Sequence, residues 1–211
     1  MGEELVGVYT GTGATMAIDV ETVLSDLQIP FLAIDETDVK DKDGLQRCNS
    51  LVMPGGYTEQ CLRHLGTQGL RNIREFVANG GGYIGICLGA YAAPKIGIVE
   101  TTMKRGRGIR VERVHVVKPK HPLFKGDQRS HYDFFYQNGP LMTPAENDES
   151  LATYIGGATA ILSTRYGYGR AILFSPHPEK RPDTVHVLKN AVRFCAQINF
   201  RKVNNSKYPQ A

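Results

Sequence analysis

Cys87 carries the most chemical potential in this chain, inside the stretch GGGYIGICLGA at residues 80–90. An apolar run, YIGI, leads into it, and the pattern Gly-x-Cys-x-Gly surrounds it. Strand, glycine-flanked cysteine, helix is the thiol version of a nucleophile elbow. The glycines have a physical reason. A nucleophile on a tight turn brings positions 85 and 89 against neighbouring backbone, where side chains would collide. A helix starting just after Cys87 would favour its thiolate through the helix dipole. Taken alone, the stretch fits a second reading equally well, that of a small buried hydrophobe, the common fate of a free cysteine.

A nucleophilic cysteine needs a base, and the base needs an orienter. GRAILFSPHPE at 169–179 offers both, because an apolar strand ends at Ser175 and is followed by His177 and Glu179. Two residues apart in an extended segment, both side chains can point the same way. His177 would take the thiol proton and Glu179 would fix its tautomer. Acyl transfer also needs donors aimed at the developing oxyanion. VMPGG at 52–56 offers the Gly56 amide, and the residue after the nucleophile offers the Leu88 amide. Gly55 and Tyr57, beside Gly56, are candidates for the substrate pocket, as is Tyr91, four residues beyond the cysteine.

These loops need a scaffold. ELVGVY (4–9), IPFLAID (29–35), NSLVMPGG (49–56) and YIGI (83–86) read as short strands, apolar throughout rather than alternating. Helical spacing is expected over 16–28, over 67–81 with Gly80 as the stop, and from Cys87 to about Lys95. Apolar strands alternating with helices imply a three-layer α/β/α fold on a mainly parallel, flavodoxin-like sheet covered on both faces. Ligands then bind at the carboxyl ends of the strands, where TGTG, PGG and CLG should gather. From about 101 to 174 the pattern changes to shorter strands with polar alternation: GIRVERVHVV, HYDFFYQN, LATYI, TAILSTRY and GRAILFS. We read an antiparallel β extension over about 101–165 within one domain spanning 1–198. A closing helix falls at 183–198, and a flexible tail is expected at 199–211.

Composition sets outer limits. The chain has 211 residues, 41% hydrophobic and 22% charged, which suits a globular domain with its own core. A net charge of +4 is too mild to argue for nucleic acid. Four cysteines without a CxxC pair suggest free thiols and a reducing, cytoplasmic setting, and neither a zinc site nor a disulfide framework. No signal peptide and no membrane-length apolar run stand out, so no membrane association is expected. TGTGAT (10–15) lacks the Gly-Lys-Ser/Thr ending of a phosphate loop and reads as pocket rim. KRGRGIRVER (104–113) is a local basic cluster that reads as a solvated strand face in preference to a site for an acidic substrate or partner. HYDFFYQNGP (131–140) is either a pocket wall, with Tyr136 and Asn138 the residues to test, or core. The other histidines show no ligand spacing, so no metal or cofactor is expected.

The set MPGG … GICLGA … SPHPE resembles the class I glutamine amidotransferase superfamily, with its Cys-His-Glu triad. More narrowly, MPGGYTEQCLRHLGTQGLRNIREFVANGGGYIGICLGAYAA, FFYQNGP and YGRAILFSPHPE resemble the amidotransferase-like domain at the N-terminus of eukaryotic biotin–protein ligases. The resemblance runs from about Leu5 to Cys195. It implies the triad Cys87, His177 and Glu179. The ligase catalytic domain has no room in 211 residues, so biotin transfer is not implied. Glutaminases of the superfamily usually read Gly-x-Cys-x-Gly-x-Gln, whereas Tyr91 stands in the glutamine's place here. The expectation is a cysteine hydrolase or acyl-transfer enzyme acting on a small-molecule amide or related carbonyl compound. A separate acceptor or synthetase partner stays open, as does the oligomeric state. Two alternatives stand beside it: a non-catalytic binding or regulatory module on the same scaffold, and a thiol redox or chaperone-type protein.

Overall fold

The computed structural model describes residues 5–196 other than Lys42 and Gln128. The expected tail at 199–211 lies outside these residues.

Eleven strands form one mixed sheet. β1 (Val6–Tyr9), β2 (Phe31–Ile34), β3 (Ser50–Met53), β4 (Gly82–Ile86) and β11 (Gly169–Phe174) run parallel in the order β2-β1-β3-β4-β11. Helices cover both faces. α1 (Ala17–Asp26) and α5 (Val185–Ala196) pack on one side, with α2 (Glu36–Lys40), α3 (Thr58–Ala78) and α4 (Leu88–Ile96) on the other. The strands show why the layers hold. Ile84 and Ile86 face the α1/α5 core while Tyr83 faces the other, and Ile172 and Phe174 alternate likewise with Ala171 and Leu173. Side chains of a strand alternate between faces, so a strand with helices on both sides must be apolar at every position.

The remaining strands are antiparallel. β10 (Thr159–Tyr166) pairs β11, followed by β9 (Glu149–Tyr154), β6 (Ile109–Val116) and β7 (His131–Gln137) out to the edge. A small ribbon of β5 (Thr102–Lys104) and β8 (Leu141–Thr143) joins through β10. The expected antiparallel extension is present, but its last expected strand is not part of it: GRAILF pairs parallel with β4 and is buried at nearly every position, so it belongs to the helix-covered core.

Two helices differ from the sequence reading. α3 begins at Thr58, nine residues before the expected start, because two helical segments join across Gly66 (φ 58°, ψ −176°). The short α2 was not expected at all. It is held by a capping box in which Asp35 accepts from the Thr37 and Asp38 amides and Asp38 returns a bond to the Asp35 amide.

No helix among the described residues is long and apolar enough to cross a membrane.

Candidate active site

The loops after β1, β3, β4 and β11 meet at the carboxyl edge of the parallel sheet. Cys87 follows β4 directly and caps α4 with φ +50° and ψ −93°, a conformation few non-glycine residues adopt. The flanking glycines explain how the chain holds that turn. A Cβ on Gly85 would sit 2.6 Å from the Gly89 carbonyl carbon, and one on Gly89 would sit 2.2 Å from the Met53 carbonyl oxygen. The Tyr83 hydroxyl, buried beneath, donates to the Gly89 carbonyl at 2.7 Å. The elbow is therefore clamped against both β3 and β4.

The thiol is only 7% exposed, yet it lines a cleft of about 730 Å³. Its Sγ donates to the Gln137 carbonyl at 3.5 Å. At the start of α4 the first helical carbonyl bond is made by Tyr91, whose amide donates to the Cys87 carbonyl. The Leu88 amide, earlier in that turn, points out of the helix without an acceptor among the described residues. The Gly56 amide likewise has no acceptor there. Gly56 adopts φ +151°, and a Cβ would fall 1.9 Å from the Gly13 carbonyl oxygen, so the glycine-rich loops after β1 and β3 are pressed together.

His177 is fully buried, and its Nδ1 lies 2.7 Å from Glu179 Oε1. With the carboxylate accepting at Nδ1, the remaining lone pair or proton resides on Nε2. Nε2 is buried and has no hydrogen-bond partner among the described residues. The loop is fixed from the edge strand: the His177 amide donates to the Phe135 carbonyl at 2.8 Å, and the Phe135 ring meets the imidazole edge-on. Gly55 packs on its other side, since a Cβ there would lie 2.7 Å from His177 Cε1.

Burial, the strongest influence on His177, disfavours its charge; the Glu179 carboxylate and the Cys87 thiol outweigh it and hold the pKa above the usual 6.5. The thiol and the imidazole are thus neighbours that sense each other electrostatically, although Sγ makes its hydrogen bond to Gln137 and not to Nε2. Cys48, Cys61 and Cys195 are buried in the core, where loss of water pushes their thiols up to about 11, about 11 and about 12.

Of the residues singled out in the sequence, Gly56, Tyr57, Cys87, Tyr91 and Asn138 line the one cleft. Gly55, Leu88, His177 and Glu179 are buried and do not line it. Tyr136 does not reach it: the ring is 1% exposed, its hydroxyl donates to the Gly139 carbonyl, and Arg110 lies over its face. The aromatic segment HYDFFYQN divides by the alternation of a strand, with Tyr132, Phe134 and Tyr136 in the core and Gln137 reaching the cleft. Tyr91 does not plug the site. Its hydroxyl donates to the Asn138 carbonyl and accepts from the Gly106 amide, both at 3.1 Å, leaving the cleft open to Cys87. The TGTGAT loop is rim, as expected, through Thr15.

The sequence reading missed Lys95 and Arg105, which also line the cleft. Lys95 had a signal, since 87, 91 and 95 repeat at four-residue intervals along a helix. Arg105 had one too, as part of the basic stretch 104–113, but that stretch as a whole reads as a solvated strand face. The basic stretch is a solvated strand face only from Ile109 onward, where Arg110 pairs with Glu112 and Arg113 with Asp133.

The architecture and the elbow define a class I glutamine amidotransferase-like fold. Residues 5–104 match the family described as "Biotin-protein ligase, N terminal". Imidazole glycerol phosphate synthase subunit HisH of Sulfurimonas denitrificans is 24% identical over 195 residues, covering 81% of this chain and 93% of that protein. PurLQS of Thermotoga maritima superposes with a TM-score of 0.73 at 13% identity, covering 91% of this chain and 99% of that one. A glutamine amidotransferase of Thermotoga maritima gives 0.65 at 16% identity, over 99% and 87% of the two chains. The chain therefore has a glutamine amidotransferase-like fold, and over residues 5–104 it is similar to the biotin–protein ligase N-terminal family.

Proposed function

We propose that the protein is a cysteine-dependent amidotransferase-like enzyme that transfers or hydrolyses an acyl group. The observation that carries this reading is the buried His177, tied to Glu179 through Nδ1 and left with an unpartnered Nε2 beside Cys87. Cys87 attacks the carbonyl carbon of the substrate and His177 receives the thiol proton. Glu179 holds the imidazole and favours its charged form. The Gly56 and Leu88 amides donate to the oxyanion. His177 returns its proton to the leaving amine, and water or another amine then resolves the thioester.

Glutamine is not assigned as the substrate, because Tyr91 stands where superfamily glutaminases usually carry glutamine. The HisH relative is a synthase subunit, which supports an arrangement in which the released amine passes to a separate partner chain. The scaffold-only alternative, in which Tyr91 would fill the pocket, is disfavoured because the Tyr91 hydroxyl is held by Asn138 and Gly106 while Cys87 lines the cleft.

The test is a screen of amides and esters against wild type and Cys87→Ala, with intact mass read during turnover. Hydrolysis that vanishes in Cys87→Ala, together with an acyl adduct on Cys87, is expected. Turnover unaffected by Cys87→Ala contradicts the reading.

A further inference from the structure

Two cations stand in the cleft without counter-ions. Lys95 and Arg105 both line it, both are exposed, and neither forms an ion pair or side-chain hydrogen bond among the described residues. Arg110, by contrast, pairs with Glu112 and Lys180 with Asp19, while Lys104 and Arg107, which flank Arg105 in the chain, share its exposure and its lack of an ion pair among the described residues. The two come from separate elements, α4 and the loop before β6, yet converge on the cavity that holds the thiol. Tyr91 lies one helical turn before Lys95 on α4, and its hydroxyl accepts from the Gly106 amide, the neighbour of Arg105. The Arg105 charge is near enough to act on the Tyr91 phenol.

We infer that this cleft takes a substrate bearing an anionic group, carboxylate or phosphate, bound by Lys95 and Arg105 at a distance from the reacting carbonyl. The inference rests on Cys87 acting as the nucleophile. The α4 geometry sets the distance. Cys87, Tyr91 and Lys95 follow one side of the helix, and at 1.5 Å rise per residue the Cα of Lys95 lies ~12 Å beyond that of Cys87. Helical side chains lean toward the N-terminus, which brings the ammonium back to within ~6–10 Å of the thiol. An extended chain advances ~1.2 Å per bond, so about five to eight bonds separate the anion from the reacting carbon. Glutamine's own carboxylate, four bonds from its amide carbon, falls short of that reach. Glu59, in the first turn of α3, contributes a carboxylate to the same cleft. It repels an anion from its own neighbourhood, which favours the Lys95 end.

Chloroacetamide probes read this without requiring turnover. The Cys87 sulfur displaces chloride from the chloroacetyl methylene, forming the S–C bond as the C–Cl bond breaks, while the thiol proton passes to His177. Four probes are compared by the rate of mass gain at Cys87: 6-(chloroacetamido)hexanoate, its neutral methylamide, 5-(chloroacetamido)pentylphosphonate and the short N-chloroacetylglycine. A long anionic probe is expected to label ~10-fold faster than the neutral one. The short probe should gain far less, and added salt should shrink the advantage. Lys95→Ala/Arg105→Ala should bring the long anion within about twofold of the neutral probe. Whichever of carboxylate and phosphonate is accelerated more names the anion. Equal rates for both long anions and the neutral probe overturn this inference and leave Cys87 a nucleophile. Failure of the neutral probe itself to label Cys87 overturns the nucleophile reading and this one with it.

Discussion

The two halves of the sheet are built on different rules. In the parallel half, β1, β3 and β4 are buried at every residue, and each ends in a loop at the same edge. In the antiparallel half, β7 alternates between buried and solvent-facing positions, and β6 is largely exposed. The parallel half supplies every group that does chemistry in the account above: the thiol, both amides, the imidazole and its carboxylate. The antiparallel half contributes mainly backbone. Its carbonyls at Phe135, Gln137 and Asn138 receive the His177 amide, the Cys87 thiol and the Tyr91 hydroxyl in turn. A scaffold buried on both faces fixes reacting groups, while an edge strand with one wet face trims and braces them. Arg105 is the exception, a functional side chain carried on a loop of the extension.

That contrast can be broken at several points, with the largest effects in the parallel half. Gly89→Ala places a methyl group 2.2 Å from the Met53 carbonyl oxygen. Because that neighbour is backbone and cannot turn aside, we expect a loss of about 3 kcal/mol, checked by denaturant unfolding. A change below about 0.5 kcal/mol would mean the elbow is not clamped against β3.

Glu179→Gln should act on chemistry more than on fold. Removing the carboxylate takes away what raises His177, so its pKa falls toward or below the ordinary 6.5. A histidine with a raised native pKa contributes stability that is fully present below 6.5 and is lost as pH rises through the native value. The wild type should therefore lose stability relative to Glu179→Gln as pH climbs from 6 to 9. Melting temperatures of both proteins across that range give the slope, and parallel curves would contradict the imidazolium–carboxylate pair.

Tyr91→Phe removes two hydrogen bonds, to Asn138 and from Gly106, which tie the extension to α4. At roughly 1 kcal/mol for each bond, the loss should be about 1–2 kcal/mol. It should come with faster amide exchange around Gly106 and Asn138, and unchanged exchange there would show that the bridge does not brace the extension. The smallest effect belongs to the outer face. The Arg113–Asp133 pair, at 2.8 Å on exposed strands, stands in water, so Arg113→Ala should leave unfolding unchanged within error.

Much of the site could be read in the sequence because the chemistry is concentrated in loops that follow apolar strands. YIGIC, VMPGG and LFSPHPE each announce a buried strand and then the turn that ends it, and the parallel topology brings the three turns together. What escaped has specific causes. Gly66 interrupts α3, so the apolar spacing of Cys61, Leu62 and Leu65 was not joined to the helix that follows. The α2 capping box uses Asp38 in the place where glutamate or glutamine is the familiar signal. Tyr136 and Asn138 differ by two residues, yet one is core and the other cleft, because the strand ends at Gln137 and Asn138 turns through φ +52°. The basic stretch 104–113 was visible, but which of its cations reaches the cleft is set by tertiary packing of the loop at Arg105, which no local pattern records.

The central claim is that Cys87, alone among four cysteines, is an activated nucleophile served by His177. The direct measurement is timed alkylation with iodoacetamide at neutral pH, with adducts mapped by peptide mass in wild type and His177→Ala. Rapid modification confined to Cys87 in the wild type, slowed about 100-fold or more in His177→Ala while both proteins stay folded, is the expected result. Cys87 reacting no faster than Cys48, Cys61 and Cys195, or at the same rate in both proteins, would contradict it.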